Sequence, residues 1–311
     1  MNLNQWALCL SVLCAMGPAY GSAKKKNILF INTALDGHFG RLAVASQKKP
    51  SERQIIDAWV CDRISFSGGK GICLTSDHAT IPAYRADIFD AQYHPLFSFS
   101  LFGIPNRSRV SDDGRLGAIT VFTAGSNYGN LTMTTQTQLF DLETHATLAD
   151  LEQFTIWRDD KKFKEIDFNF WGVTFARNAN DFYATLSSRG KIYLIQGNVD
   201  KREGRVIREG IECSSLSPDN TRLVFKKRVT SGRQAIWRMA VLNLATMKET
   251  ELAETRSVDE QVEWLDDKHL VYSLPQIGAV LQTMKDTWVV PADGSGPPKK
   301  LLTQAYSPVA I

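Results

Sequence analysis

An apolar or aromatic residue, a short polar turn and a second apolar run recur five times in this 311-residue chain, starting at Phe66, Val110, Phe175, Leu216 and Trp264. Self-similarity at about 40 to 50 residues marks stacked supersecondary units, none of which buries its apolar face alone. The turns contain Gly68-Gly69, Asp113-Gly114, Asn178-Ala179-Asn180, Ser217-Pro218-Asp219-Asn220 and Asp266-Asp267. Proline presets φ for a turn, and glycine or asparagine tolerates the left-handed conformation of a tight reversal, so these segments are predicted to be hairpins.

A second element follows each copy in the same order, a strand-like run carrying Ile88-Phe89, Leu139-Phe140, Ile192-Tyr193, Ile236-Trp237 or Thr287-Trp288. Polar turns such as Asp141 to Thr144 and Asn243 to Thr246 come next, and then a short fourth run such as Thr250-Glu251-Leu252. Four antiparallel strands per unit make a propeller blade, so the chain is predicted to be an all-β propeller with its clear repeats in residues 57–304. Two further runs, Ile28 to Ile31 and Leu42 to Val44, are expected to form a sixth blade with help from the C-terminal end. That arrangement closes the ring and removes exposed sheet edges.

With Leu216 to Leu252 and Glu263 to Thr303 carrying the clearest copies, the chain resembles the TolB-like six-bladed β-propellers, whose blades have a Ser-Pro-Asp-Gly turn and a later Ile-Trp/Tyr strand. The resemblance implies periplasmic location and docking within a cell-envelope assembly. Many propellers of unlike function share the motif, so it speaks to fold more than to activity. TolB also has an α/β domain before its propeller, and the stretch between residue 23 and Asp57 is too short for one. The same economy leaves no room for the hydrolase domain of prolyl-peptidase relatives.

Residues 1–23 carry no charged side chain and hold an apolar run from Trp6 to Met16, followed by small residues and Lys24-Lys25-Lys26. This reads as a cleaved secretory signal, leaving a single propeller domain over 24–311 that is periplasmic or secreted. A permanent span needs roughly 20 apolar residues, about twice this run. Lys plus Arg number 36 against 33 Asp plus Glu, a balance that calls for no nucleic-acid partner. Beyond the signal, Cys61, Cys73 and Cys213 form an odd set with no C-x-x-C pattern, and buried free thiols are the expectation.

No catalytic motif, cofactor or metal site is predicted. His38, His78, His94, His145 and His269 are scattered, without ligand spacing. Gly125 to Gly129 departs by one position from a nucleophile elbow, and Gly68 to Gly71 lacks the pattern of a phosphate loop. Because the first strand of each blade lines the tunnel, polar residues ahead of the repeated apolar position are tunnel candidates: Asp62, Asn169, Glu212, Asp259 and Glu260. Acidic groups there suit a cation or a sugar, which makes a sugar-lyase or lactonase the alternative to a non-catalytic role.

The interval from Val110 to Phe175 is longer than the others and contains Leu151 to Phe163. Insertions between blades fall on exposed loops, and Trp and Arg dominate interface energetics. Phe154, Trp157, Arg158 and Phe163 are therefore the candidate contact residues for a protein partner, with packing of Phe154, Ile156 and Trp157 over the side of the third blade as the alternative.

Overall fold

The computed structural model describes residues 26–77, 83–124, 133–230, 235–276 and 284–311. The expected signal segment, His78 and Gly125 to Gly129 lie outside them. The chain forms six sheets arranged as a β-propeller. Strands β1 (Asn27–Asn32), β2 (Arg41–Ser46) and β3 (Lys49–Val60) belong to the first blade, and β4 (Arg63–Ser67), β5 (Lys70–Ser76), β6 (Tyr84–Asp90) and β7 (Pro95–Leu101) make the second. The third holds β8 (Ile104–Val110), β9 (Leu116–Ala124), β10 (Met133–Asp141) and β11 (Ala146–Asp150). An inserted hairpin, β12 (Thr155–Arg158) and β13 (Lys161–Phe163), precedes the fourth blade of β14 (Asn169–Phe175), β15 (Asp181–Ser188), β16 (Lys191–Asn198) and β17 (Glu203–Glu209). The fifth comprises β18 (Glu212–Leu216), β19 (Arg222–Arg228), β20 (Trp237–Asn243) and β21 (Glu249–Glu251). The sixth comprises β22 (Glu263–Trp264), β23 (His269–Pro275), β24 (Lys285–Pro291) and β25 (Lys299–Leu302).

The last strand, β26 (Ala305–Ala310), returns to the first blade and pairs antiparallel with β1. As expected, the blade formed by the N-terminal strands is shared between the two ends of the chain. Each blade is buried on both faces by its neighbours, so its middle strands read as continuous apolar runs. Ile28 to Ile31 of β1 are all buried. Six apolar clusters straddle the six junctions, for example Ile72 and Ile88 against Ile119 and Phe140 between the second and third blades.

The inner hairpins show why Ser-x-Asp recurs. In the fifth blade Ser217 Oγ donates to Asp219 Oδ1 at 2.5 Å and accepts the N–H of Arg222 at 3.0 Å, while Asp219 also accepts the N–H of Thr221 at 3.0 Å. Ser111 and Asp113 repeat the arrangement with Leu116 and Arg115. Burial raises the Asp219 carboxyl, but bonds from Ser217 and Thr221 outweigh it and bring the pKa to about 2. Gly68 (φ 54°), Gly69 (φ 80°), Gly114 (φ 74°) and Asn220 (φ 60°) occupy the left-handed region. Two turns differ in detail from the sequence expectation. In the fourth blade Ala179 (φ 58°) is the left-handed residue, and Asn178 caps the turn by accepting the N–H of Asp181 at 2.9 Å. In the sixth, the Asp266 carboxylate holds the turn by accepting the N–H groups of Lys268 and His269.

One cysteine expectation is corrected: Cys61 and Cys73 form a disulfide, and among the described residues Cys213 alone is a buried free thiol. Their separation of 12 residues is no motif. The hairpin entering the second blade brings them together, with the N–H of Asp62 donating to the Leu74 carbonyl at 2.7 Å and the two Cα atoms 5.4 Å apart.

Asn220 gives the sharpest test of the turn chemistry. Its Oδ1 also accepts the N–H of Arg177 at 2.8 Å, tying the fifth blade to the fourth. Asn220→Val should cost at least about 1 kcal/mol in urea unfolding, because a β-branched residue is strained at positive φ. Asn220→Gly, which relieves the strain while losing the side-chain bond, should cost less than Asn220→Val.

Candidate functional site

The innermost strands β26, β4, β8, β14, β18 and β22 surround the axis of the ring. All run in one direction, so the ring has an upper face, where they begin, and a lower face, where their hairpins turn. At the lower face Phe66, Val110, Phe175, Leu216, Trp264 and Val309, one from each inner strand, line a funnel of about 570 Å³. These are the repeated apolar positions, with Val309 supplied by the closing strand.

Charged side chains fill the middle of the tunnel. Arg109 on the third blade pairs with Glu263 on the sixth, directly across the ring, and both are largely buried. Gln261 Nε2 donates to Glu263 Oε1 at 2.6 Å. Toward the upper face Glu260 accepts from Arg63, from Lys285 and from Tyr306 OH at 2.9 Å. The Arg63 guanidinium and the Lys285 ammonium stand over the Tyr306 ring, 4.8 and 3.8 Å from its centroid. Lys226, 1% exposed, reaches Asp259 Oδ1 at 2.7 Å, and Arg107 Nη2 donates to the Asp259 carbonyl at 3.3 Å.

Burial works against the charge of Glu260, yet Arg63 and Lys285 overcome it and hold the carboxyl below its ordinary value. Burial lowers Lys285, with Glu260 opposing, and burial likewise lowers Arg63. For Arg107, burial is outweighed by the acidic groups around it, Cys213, Glu260, Asp259 and Glu212, and its pKa rises.

The five candidate tunnel residues take different places. Glu260 and Asp259 enter the charged cluster. Glu212 accepts from Trp237 Nε1 at 3.1 Å. Asn169 accepts the N–H of Thr135 at 2.8 Å and so bridges the third and fourth blades, while Asp62 is exposed where β4 begins. The basic half of the cluster was not singled out in the sequence. Its signal is Arg107-Ser108-Arg109, two charges at strand period immediately before the repeated Val110.

In the inserted segment Phe154 and Ile156 are buried, and β12 pairs parallel with β17 on the outer edge of the fourth blade. Trp157 is half-buried under Lys162, whose ammonium lies 5.7 Å from the ring centroid. Arg158 lies over both Phe163 and Tyr193 and donates to Tyr193 OH at 3.2 Å. The chain then crosses the upper end of the blade, where Asp167 accepts from Ser188 Oγ and the N–H of Arg189.

Nine large apolar side chains stand exposed among the described residues. Leu35, Phe39, Val60, Phe102, Ile104, Ile166 and Val229 lie at the upper ends of strands or in upper connections, and only Leu96 and Met247 lie at lower ones. Among the described residues no three His, Cys, Asp or Glu side chains gather where they could hold a metal ion. His38, His94 and His269 pair with Asp57, Asp90 and Asp266, and His145 stacks on Phe97, all away from the tunnel.

The Glu260 cluster has a signed pH consequence. A carboxyl whose folded pKa is depressed stabilises fully above its unfolded value, about 4.3, and loses that contribution as pH falls through the folded value. Glu260→Gln should therefore flatten the loss of stability below about pH 4, measured by urea unfolding across pH. An unchanged pH slope would show that Glu260 is not held by this cluster.

No family model matches the chain, and no curated protein matches its sequence. Solved structures do. TolB from Acinetobacter baumannii superposes with a TM-score of 0.61 at 14% identity over 92% of this chain, which spans 66% of the TolB chain, just under two thirds of its length. A chain in a nidogen/laminin complex gives 0.61 at 13% identity, covering 92% of this chain and 98% of that one. An oligogalacturonate lyase in complex with manganese gives 0.50 at 10% identity, covering 81% and 72%. At such identities the likeness is one of fold, and the fold is the TolB-like six-bladed β-propeller.

Proposed function

We propose that this protein is an exported, non-catalytic binding module that docks a protein partner on its upper face, with Phe154, Trp157, Arg158 and Phe163 forming or bracing part of the contact. The observation that carries this reading is the concentration of exposed apolar side chains at one face of the ring, an asymmetry that a docked partner would account for. The inserted segment leads onto that face through Ile166, which is fully exposed. Support for export comes from the apolar segment at the N-terminus and from the Cys61–Cys73 disulfide, a bond that persists in oxidising compartments. The likeness to TolB favours a periplasmic setting and a cell-envelope partner.

The second reading, a sugar-lyase or lactonase, rests on the Glu260, Arg63, Lys285 and Tyr306 cluster near the upper mouth and on the likeness to the lyase. The mutual pairing of these groups favours a structural role over acid–base work. A pulldown of the mature chain from its own envelope fraction separates the two readings. Trp157→Ala or Arg158→Ala should weaken binding of the captured protein by more than about 1 kcal/mol with the fold intact. If Trp157 serves only its own blade, its removal should cost stability, about 3 kcal/mol, and leave binding unchanged. Turnover of a sugar or lactone that is lost in Glu260→Gln or Asp259→Asn would establish the enzyme reading instead.

A further inference from the structure

Four buried polar atoms without a hydrogen-bond partner, Arg107 Nε, Arg107 Nη1, Ser108 Oγ and Ser214 Oγ, belong to residues that line one small cavity. Ser108 and Ser214 are 4% and 2% exposed. Buried polar groups are nearly always satisfied, so several around one cavity point to an occupant that accepts hydrogen bonds. The cavity, about 10 Å³, has room for a single small occupant. Arg109, Thr120, Gly172, Cys213 and Gln261 also line it, with Ala118 and Val173 as the apolar part of the wall.

The backbone is built around this place. Three successive inner strands, β8, β14 and β18, each carry a register irregularity among the lining residues, between Pro105 and Arg107, Trp171 and Thr174, and Glu212 and Ser215. Bulges re-aim side chains and recur beside functional sites. Cys213 adopts φ 50° and Gly172 φ 66°, and a Cβ on Gly172 would come within 3.0 Å of Cys213 Cα, so only glycine lets these two strands approach so closely.

Charge selects the occupant. Among the tunnel cations, Arg63 and Lys285 contact Glu260, Arg109 contacts Glu263 and Lys226 contacts Asp259. Among the described residues Arg107 has no carboxylate in contact, and the acidic groups nearest it are engaged elsewhere, Glu212 by Trp237, Asp259 by Lys226 and Glu260 by Arg63. We infer that the cavity binds a small monatomic anion of the halide class, held by the Arg107 guanidinium and the Ser108 and Ser214 hydroxyls. All four groups can donate, and the anion supplies the countercharge that water would not. The site ties the third, fourth and fifth blades together at the tunnel wall.

The test uses the intact protein with bromide as probe. Crystals grown in sodium bromide should show an anomalous peak within hydrogen-bonding distance of Arg107 and Ser214. Chloride or bromide replacing gluconate at constant ionic strength should raise Tm in a saturable manner, and Arg107→Gln should weaken the apparent halide affinity by about tenfold or more. Should Arg107→Gln fail to fold, Ser214→Ala serves for the same titration. An ordered water in the cavity without a bromide signal, or equal Tm in chloride and gluconate, would overturn the assignment.

Discussion

Pairing between β26 and β1 is the constraint on which the rest of the structure depends. Ile28 faces Ala310 and Leu29 faces Val309 in this ladder, and the Ile311 carbonyl accepts the N–H groups of Lys26 and Asn27. A ring of sheets has two raw edges until its ends meet, and unpaired edges template aggregation. Closure also delivers tunnel chemistry from the far end of the sequence. Tyr306 reaches Glu260, and Ser307 accepts the N–H of Ile64 through its hydroxyl at 3.3 Å, joining the first blade to the second.

Once the ring is closed, the inner strands face one another across a narrow space, and their polar side chains must satisfy one another there. Opposite charges meeting across the axis, as Arg109 and Glu263 do, make the tunnel a packed and paired interior. Breaking one member of such a pair is costly because it strands the other charge. Most of the tunnel's ionisable groups thereby hold blades together. The outer surfaces differ in turn, with the upper face carrying most of the exposed apolar groups among the described residues.

Much of this was legible from local signals. The five hairpins and their aromatic third strands follow from turn chemistry and strand period, and the sixth blade follows from counting strands left over at the two ends. Long-range partners were not legible. The Cys61–Cys73 bond and the contacts of Glu260 depend on which residues the closed ring brings together, and no spacing in the chain encodes that. The insertion was visible as a lengthened interval, with packing of Phe154 against a blade as one of its two readings, but its parallel pairing with β17 was not, because a short segment of mixed character has no periodicity to place it. Ala179 shows a third limit: surrounding structure holds an ordinary residue in a left-handed turn where sequence preference points to its asparagine neighbours.

The proposed docking places the partner on the upper face. Site-specific photocrosslinking in the native cell tests it most directly, with the reactive residue placed in turn at Phe102 and Ile166 on the upper face and at Leu96 and Met247 at lower positions. All four side chains are exposed, so none of the replacements disturbs the core. The account predicts one discrete crosslinked protein from Phe102 and Ile166 and none from Leu96 and Met247. Crosslinks confined to the lower positions, or the same product from all four, would contradict it.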